Sequence, residues 1–496
     1  MVQRRGKILA VSAIYGAGQA LISGVVIFVI YREVNRTVGV SAFGVWAVIY
    51  SFVTFAKLAN FGLGLGVPKY LASAAECGGD GWQLVTSAAA GTFVVLSIVG
   101  AAGYYPACHL LPRVFRGSDL ALAHSLLKYA FVQLVVTETA AIFQTALDGI
   151  MRTKTRALIN IGGQIFSLAL TIILMPKIGL LGFVYAQLLQ QFGVLVFAGG
   201  VAKNALAPDA KNFPTVKVRY LSQLARYGWS LQVSTLFLLL TDPFVKGLVA
   251  ATAGAANAGY FEIANQIYSR LRILGNSASQ ALVGGYAHAA QEGSGGVKAL
   301  YAANLRLLVA AMLPLTALTL LWLPVIAHLL SISNAIEFER LAVILFAPAA
   351  MVTLSLPAYV MNIATGRAYV NTGAQMAAGA AVVLSSIVLS KIGWGNGVAF
   401  GYAIGISVAN WGLLHVQARF IGVRIRGIVW LNRFSVVAAA ACATYAIGNL
   451  EVGGGAWFGG VGLRIAFTAL AVASIVYDIR SFLMAKRVAA GELRKR

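Results

Sequence analysis

The sequence predicts an all-α polytopic membrane protein of about 14 transmembrane helices, built as two parallel-repeat six-helix lobes plus two C-terminal helices. Three observations predict it: a scarcity of charge, a succession of long apolar stretches, and an internal repeat. Only 11% of the 496 residues are Asp, Glu, Lys or Arg, where a soluble domain carries about 25%. Hydrophobic residues make up 59%, and the mean hydropathy is +0.81. A soluble chain of this length would form about three domains, and so few charges cannot cover their surface. Lipid is the solvent that this composition fits.

A spanning helix needs about 20 mostly apolar residues. Such stretches lie at 8–30, 43–67, 83–106, 124–148, 157–175, 180–202, 226–249, 256–286, 299–330, 341–363, 370–390, 397–419, 433–450 and 459–483. Arg4-Arg5-Gly6-Lys7 ahead of the first resembles the start of a signal peptide. The apolar run that follows is too long and ends in Tyr31-Arg32-Glu33 without a small-residue cleavage site, so it reads as an uncleaved span.

The formal net charge is +23. No basic stretch is interleaved with aromatics in a foldable soluble segment, which argues against a nucleic-acid partner. Instead, Lys and Arg outnumber those of the opposite side about threefold in the loops flanking the even-to-odd turns and at both termini. That bias puts both termini in the cytoplasm. The linker around 206–225, with Pro208, Asp209 and Pro214, separates a first lobe (1–205, spans 1–6) from a second (226–420, spans 7–12). Residues 421–496 hold spans 13 and 14 and a basic cytoplasmic tail. Three scattered cysteines and five isolated histidines give no disulfide framework, metal site or cofactor site, and no Walker-type phosphate loop occurs.

The repeat has three parts. Arg156-Ala157-x-Ile159-Asn160-x-Gly162-x-Gln164 is matched by Arg367-Ala368-x-Val370-Asn371-x-Gly373-x-Gln375 at an offset of 211. Lys177-Ile178-Gly179 recurs as Lys391-Ile392-Gly393 at 214, and Thr37-x-Gly39 with Gly44 and Trp46 recurs as Thr252-x-Gly254 with Gly259 and Phe261 at 215. Six spans separate equivalent points, so both halves enter the membrane the same way. Such parallel repeats place substrate between the halves.

Ionisable residues inside spans cost several kcal/mol and face a cavity or a partner. The 215 offset places Lys57 of span 2 on Arg272 of span 8, each near mid-helix. Lys57 shares a face with Trp46, Tyr50, Thr54, Asn60, Phe61 and Gly64; Arg272 shares one with Phe261, Asn265, Tyr268, Ser269, Asn276 and Ser279. Span 1 adds Ser12, Tyr15, Gln19 and Ser23, and span 7 adds Tyr227, Ser230, Gln232 and Ser234. Hydroxyls, amides and aromatic faces around two cations suit an anion that carries sugars. Taken singly, each Ser or Asn also fits a role in binding a neighbouring helix. Asp242 and Lys246 form an i,i+4 pair beside Pro243, which can bend span 7, and Asp148 with Arg152 is a similar pair at an inner helix end. With Glu138 of span 4, Asp242 and Lys246 are the candidates for energy coupling. Arg270 lies on the far side of the helix from Arg272 and is expected to pair with Glu262 through a neighbour. Gly62-x-Gly64-x-Gly66-x-Pro68 suits close helix packing and a bendable end to span 2.

These features resemble the MOP superfamily, and within it the polysaccharide transporter family of Wzx-type lipid-linked oligosaccharide flippases. The matching segments are Val38-Gly39-Val40-Ser41-Ala42-Phe43-Gly44-Val45-Trp46, Ala59-Asn60-Phe61-Gly62-Leu63-Gly64, Asp242, and Ala258-Gly259-Tyr260-Phe261. The resemblance implies a flippase, not an enzyme, that moves undecaprenyl-diphosphate-linked oligosaccharide units of O-antigen, capsule or exopolysaccharide across the bacterial inner membrane by alternating access. Lys57 and Arg272 would hold the diphosphate, and Tyr50, Asn265, Tyr268 and Asn276 the glycan, while the prenyl tail stays in lipid. Its partners would be the lipid-linked glycan, membrane lipid and a polysaccharide polymerase complex. MATE-like and lipid II-type exporters of the same superfamily are the alternatives. An integral membrane glycan polymerase or ligase fits less well, because the outer loops are too short to present catalytic groups.

Overall fold

The computed structural model describes residues 2–77, 81–208, 216–280, 282–292, 294–392, 396–451 and 461–494. Linker residues 209–215, Gly393, and the side chains of Ser12, Tyr15, Ser230 and Ser234 lie outside the described residues. Among the described residues there is helix and no strand. This is the economical solution in hydrocarbon, where every backbone N–H and C=O must be satisfied within its own segment.

The chain divides into two compact units, Met1–Gly259 with Leu330–Ser333, and Tyr260–Leu329 with Asn334–Arg496. The first contains α1 (Val2–Thr37), α2 (Gly39–Val53), a 3-10 segment (Thr54–Asn60), α3 (Leu63–Cys77), α4 (Gly81–Val114), α5 (Gly117–Gly149), α6 (Thr153–Ile178), α7 (Leu180–Leu206) and α8 (Val218–Ala253). Helix α9 (Ala255–Gln280) begins at its end and runs into the second unit. There follow α10 (Val283–Glu292), α11 (Ser294–Leu321), α12 (Leu323–Leu329), α13 (Ala335–Ala364), α14 (Ala368–Lys391), α15 (Gly397–Ile421), α16 (Ile425–Leu431), α17 (Arg433–Glu451) and α18 (Val461–Arg494). Among the described residues, ten helices are long and apolar enough to cross a membrane, or eleven if α16 and α17, bent by 82°, count as one broken span. Over its described residues, each of the fourteen apolar stretches falls on helix, but three are divided. Span 2 breaks into α2, the 3-10 segment and α3, while spans 8 and 9 end in the separate short helices α10 and α12.

Large apolar side chains stay on the outside: Leu21 and Phe197 are each 67% exposed and Trp430 is 70% exposed. Contiguous patches of this kind are untenable in water and natural against lipid. The interior of the first unit forms where small residues let helices close. A Cβ on Gly44 would run into the backbone of Ala255 and Gly259, so the start of α9 lies directly on α2. Helix α8 packs on α2, α3 and α4 within the first unit.

The hairpin turns α5–α6 and α13–α14 fix the register of the repeat. Ile150 (φ −93, ψ 16) and Thr365 (φ −93, ψ 8) match, as do Arg152 (φ −97, ψ 39) and Arg367 (φ −97, ψ 35). Between them, Met151 and Gly366 have φ of 60 and 74. The bonds Ile150 N–H to Ala146, Met151 N–H to Asp148 and Arg152 N–H to Leu147 recur as Thr365 to Met361, Gly366 to Ile363 and Arg367 to Asn362. Every pair keeps the offset that relates Thr37 to Thr252. The motif match at 211 is therefore displaced by about one helical turn. The register that pairs Lys57 with Arg272 is the one the backbone keeps.

Candidate functional site

Span 2 is interrupted where its cation sits. After Val53 the helix tightens into the 3-10 segment Thr54–Asn60, and the chain then passes through two left-handed residues, Phe61 (φ 49) and Gly62 (φ 66). Such a break releases backbone carbonyls, and each needs a donor. Gln232 of α8 supplies one: its Nε2 donates to Lys57 O at 3.3 Å and Leu58 O at 3.0 Å. Thr92 of α4 donates to Asn60 Oδ1 at 2.8 Å. Glycine at 62 is required twice, because its φ is positive and because a Cβ there would lie 2.6 Å from Gly228 O.

The Lys57 ammonium pairs with Glu138 of α5 at 2.8 Å. The lysine side chain is 44% exposed and the carboxylate 11%, so the cation remains reachable while its partner is largely enclosed. Tyr50 stacks on Trp46 at 5.7 Å and has Thr137 and Glu138 as polar neighbours. Three predicted candidates from two spans, Tyr50 and Lys57 of span 2 and Glu138 of span 4, thus converge on one cluster inside the first unit. Sequence placed no acid near Lys57 on its own helix; the acid comes from α5.

Asp242 and Lys246 form their predicted i,i+4 pair at 2.6 Å, with Lys246 nearly buried and Asp242 half open. The face of α8 one residue beyond Lys246 is pressed close: a Cβ on Gly247 would meet Phe52 Cζ at 2.6 Å. Asp148 takes a different partner from the one expected. Its carboxylate binds Arg156 at 2.6 Å, while Arg152 is drawn into the turn as the cap of α6.

In the second unit, Asn265, Tyr268, Arg272 and Asn276 lie along the uninterrupted helix α9. Tyr268 is buried and packs edge-on against Phe346 at 6.5 Å. Arg272 is exposed, with its guanidinium 5.9 Å from the Tyr268 ring; among the described residues no carboxylate pairs with it. Asn265 and Asn276 are half-buried. Gln266 Nε2 donates to Glu262 Oε1 at 2.8 Å, one turn from Arg270.

Two buried ionisable residues inside the last span escaped the sequence reading. Asp478 of α18 is 1% exposed and accepts from Ser435 N–H at 3.1 Å. This places a carboxylate at the positive N-terminal end of α17, just after the bend that separates it from α16. Arg464 is 6% exposed and has Glu339 as its acidic neighbour. The signal was available, since both lie within 459–483 and are charged.

Comparison with known proteins agrees with this architecture. A multidrug resistance MATE family transporter of the MOP superfamily, in an inward-facing conformation, aligns with a TM-score of 0.67 at 16% identity, over 83% of this chain and 98% of its own. The lipid II flippase MurJ, inward closed, aligns with a TM-score of 0.69 at 12% identity, over 96% and 99%. A MOP superfamily transporter from Pyrococcus furiosus, described by the reverse polarity of its binding pocket, aligns with a TM-score of 0.57 at 15% identity, over 83% and 95%. No curated protein sequence matches. Residues 9–283 match the family described as polysaccharide biosynthesis protein. With more than half its length in that match, the chain is a multi-pass membrane protein that belongs to the polysaccharide biosynthesis protein family and has the fold of the MOP superfamily transporters.

Proposed function

We propose that the protein is a flippase for undecaprenyl-diphosphate-linked oligosaccharide repeat units, working by alternating access in the bacterial inner membrane with both termini in the cytoplasm. The observation that carries this reading is the reachable Lys57 ammonium, mid-span on a broken helix and held by a carboxylate from another span. An exposed cation in the middle of a span is costly, and an anionic cargo explains its retention. The match to the polysaccharide biosynthesis protein family supports a glycan-bearing cargo.

Diphosphate oxygens compete with Glu138 for the ammonium. The swap exchanges one ion pair for another, so binding stays reversible, as transport requires. Protonation of Glu138, or of Asp242 beside Lys246, would free a cation and so couple proton movement to cargo. Arg272 is the second anion contact, with Tyr50, Asn265, Tyr268 and Asn276 meeting the glycan. The membrane potential adds about 2.3 kcal/mol per elementary charge per 100 mV. No bond is made or broken in this scheme, and a polysaccharide polymerase complex would receive the flipped unit.

Complementation of bacterial strains lacking defined flippases tests the reading, scored by which surface glycan returns. Rescue by the wild type, with Lys57→Ala and Arg272→Ala each inactive although present in the membrane, is expected. Normal export by the double variant would overturn the residue assignment. Dye efflux that tracks expression, without any rescued glycan, would instead favour a MATE-like exporter.

A further inference from the structure

In the second unit, α16 is bent by 82° from α17 at Asn432. The 19 residues of α17 rise about 28 Å, close to the hydrocarbon thickness of about 30 Å. With α17 crossing that layer by itself, α16 lies along its edge. The corner is firmly built. Asn432 is fully buried, and its Nδ2 donates to Ile428 O at 3.1 Å and to Arg306 O of α11 at 3.3 Å. Ile428 belongs to a core cluster with Leu414 and Ala418, and Ile425 packs against it. This fixes the face that α16 keeps outside: Arg426, Gly427, Trp430 and Leu431 are all exposed.

That face carries cations first and carbon after them. Arg426 lies one turn from Trp430 on the same side of α16. Past the bend, the exposed Arg433 holds its guanidinium 5.9 Å from the Trp430 ring centre and 5.2 Å from that of Phe434. An open indole thus has an arginine on each side in the chain. Exposed apolar residues continue onto α17 through Leu431, Phe434 and Val437. Among the described residues neither arginine forms an ion pair. The carboxylate that reaches this corner, Asp478, is buried and accepts from Ser435 N–H. Guanidinium groups fit phosphate through paired N–H bonds, and tryptophan favours the membrane–water boundary. The complementary ligand is a phosphate joined to hydrocarbon. A free phosphate or an acidic peptide would use the arginines and leave the carbon uncovered. Lys57 has Glu138 ready to take it back from an anion; these arginines have no such competitor, which suits a resident lipid better than a passing cargo.

We propose that the α16–α17 elbow binds an anionic phospholipid, its phosphate held by Arg426 and Arg433 beside Trp430 and its acyl chains lying along Leu431, Phe434 and Val437. The site belongs to the second unit alone and stands whether or not the cargo is a lipid-linked glycan.

The test uses the full chain in phosphatidylethanolamine bilayers that contain dibrominated phosphatidylglycerol or, in parallel, dibrominated phosphatidylcholine. Bromine quenches nearby indoles, and the difference in emission between the wild type and Trp430→Phe isolates Trp430 from the other tryptophans. Phosphatidylglycerol should half-quench that signal at a clearly lower fraction than phosphatidylcholine. Arg426→Gln and Arg433→Gln should each reduce this preference about fivefold, the worth of one arginine contact at a membrane surface. Both residues are exposed, and if one variant fails to fold the other still decides. Equal quenching by the two brominated lipids would overturn the proposal. A preference that both variants keep in full would show diffuse attraction to a basic surface and would overturn the site. Relief of quenching by millimolar inorganic phosphate or by polyglutamate would assign the arginines to a soluble anion or an acidic partner instead. Relief by geranylgeranyl diphosphate, with none by unlabelled phosphatidylglycerol, would transfer the elbow to the lipid carrier and equally overturn the proposal.

Discussion

Lys57 and Arg272 occupy the same position of the repeat and could hardly be mounted more differently. Lys57 stands on a helix that has lost its regular ladder, with carbonyls bonded by Gln232 and its charge held by Glu138. Arg272 stands on an unbroken helix, exposed along the ring of Tyr268. At the position equivalent to Glu138 under the same offset, the second unit has Thr353, whose hydroxyl bonds its own helix at Ala349 O. At the position equivalent to Gly62 it has Ser277, within α9. Two substitutions account for the contrast: an acid that ties the first cation, and a glycine that permits the break. The first unit thus has a cation whose backbone and counter-ion can both rearrange, while the second offers a fixed one.

Removing each cation should break this comparison most visibly. Both Lys57→Ala and Arg272→Ala are expected to abolish glycan export, but they should differ in stability. Lys57→Ala strands the Glu138 carboxylate; a fully buried broken pair costs about 3–5 kcal/mol, and solvent screening of this half-open lysine reduces that to about 2 kcal/mol. Adding Glu138→Ala should restore the thermal midpoint in detergent without restoring export. Arg272→Ala, at an exposed site with no ion pair among the described residues, should stay within about 0.5 kcal/mol of wild type. Equal destabilisation by the two single variants would erase the distinction.

The backbone half of the contrast predicts a smaller effect. Gly62→Ala forces an L-residue to φ 66 and drives a Cβ to 2.6 Å from Gly228 O, at a cost of about 2 kcal/mol. At Ser277, within a regular helix, the backbone already suits an L-residue, so the same strain does not arise there. Transport by Gly62→Ala is expected to slow in a flux assay even where expression is normal, because the break can no longer close against α8.

What could be seen beforehand follows from the range of each interaction. Composition and hydropathy are local sums, so the helical spans and the class of protein were legible. The mid-span placement of Lys57 was too. Its ion pair was not, because Glu138 is remote along the chain and only helix packing brings it close. The Gly62-Gly64-Gly66 run announced a bendable end, whereas the 3-10 segment before it, Thr54–Asn60, holds neither proline nor glycine and gave no sign of tightening. The motif match at 211 misled for a geometric reason. A slip of one turn rotates a helix by only about 40°, so the same face can carry similar residues out of register. The charged pair Asp148 and Arg152 failed likewise: i,i+4 spacing assumes a continuous helix, and the turn at Ile150–Arg152 ends it.

The smallest expected effect sharpens the register itself. If 215 is the true offset, Met151 and Gly366 are the same turn position, one filled by a residue that pays for φ 60 and the other by one that does not. A left-handed non-glycine residue costs about 1–2 kcal/mol, and glycine returns about 0.4–1 kcal/mol through the freedom of the unfolded chain. Met151→Gly should therefore stabilise the protein by about 0.5 kcal/mol, and Gly366→Ala should destabilise it by a similar amount. Both shifts are readable as small opposite changes of the thermal midpoint in detergent. Changes of the same sign would mean that the two turns, alike in dihedral angles, are held by different contacts and that the repeat is conserved in path alone.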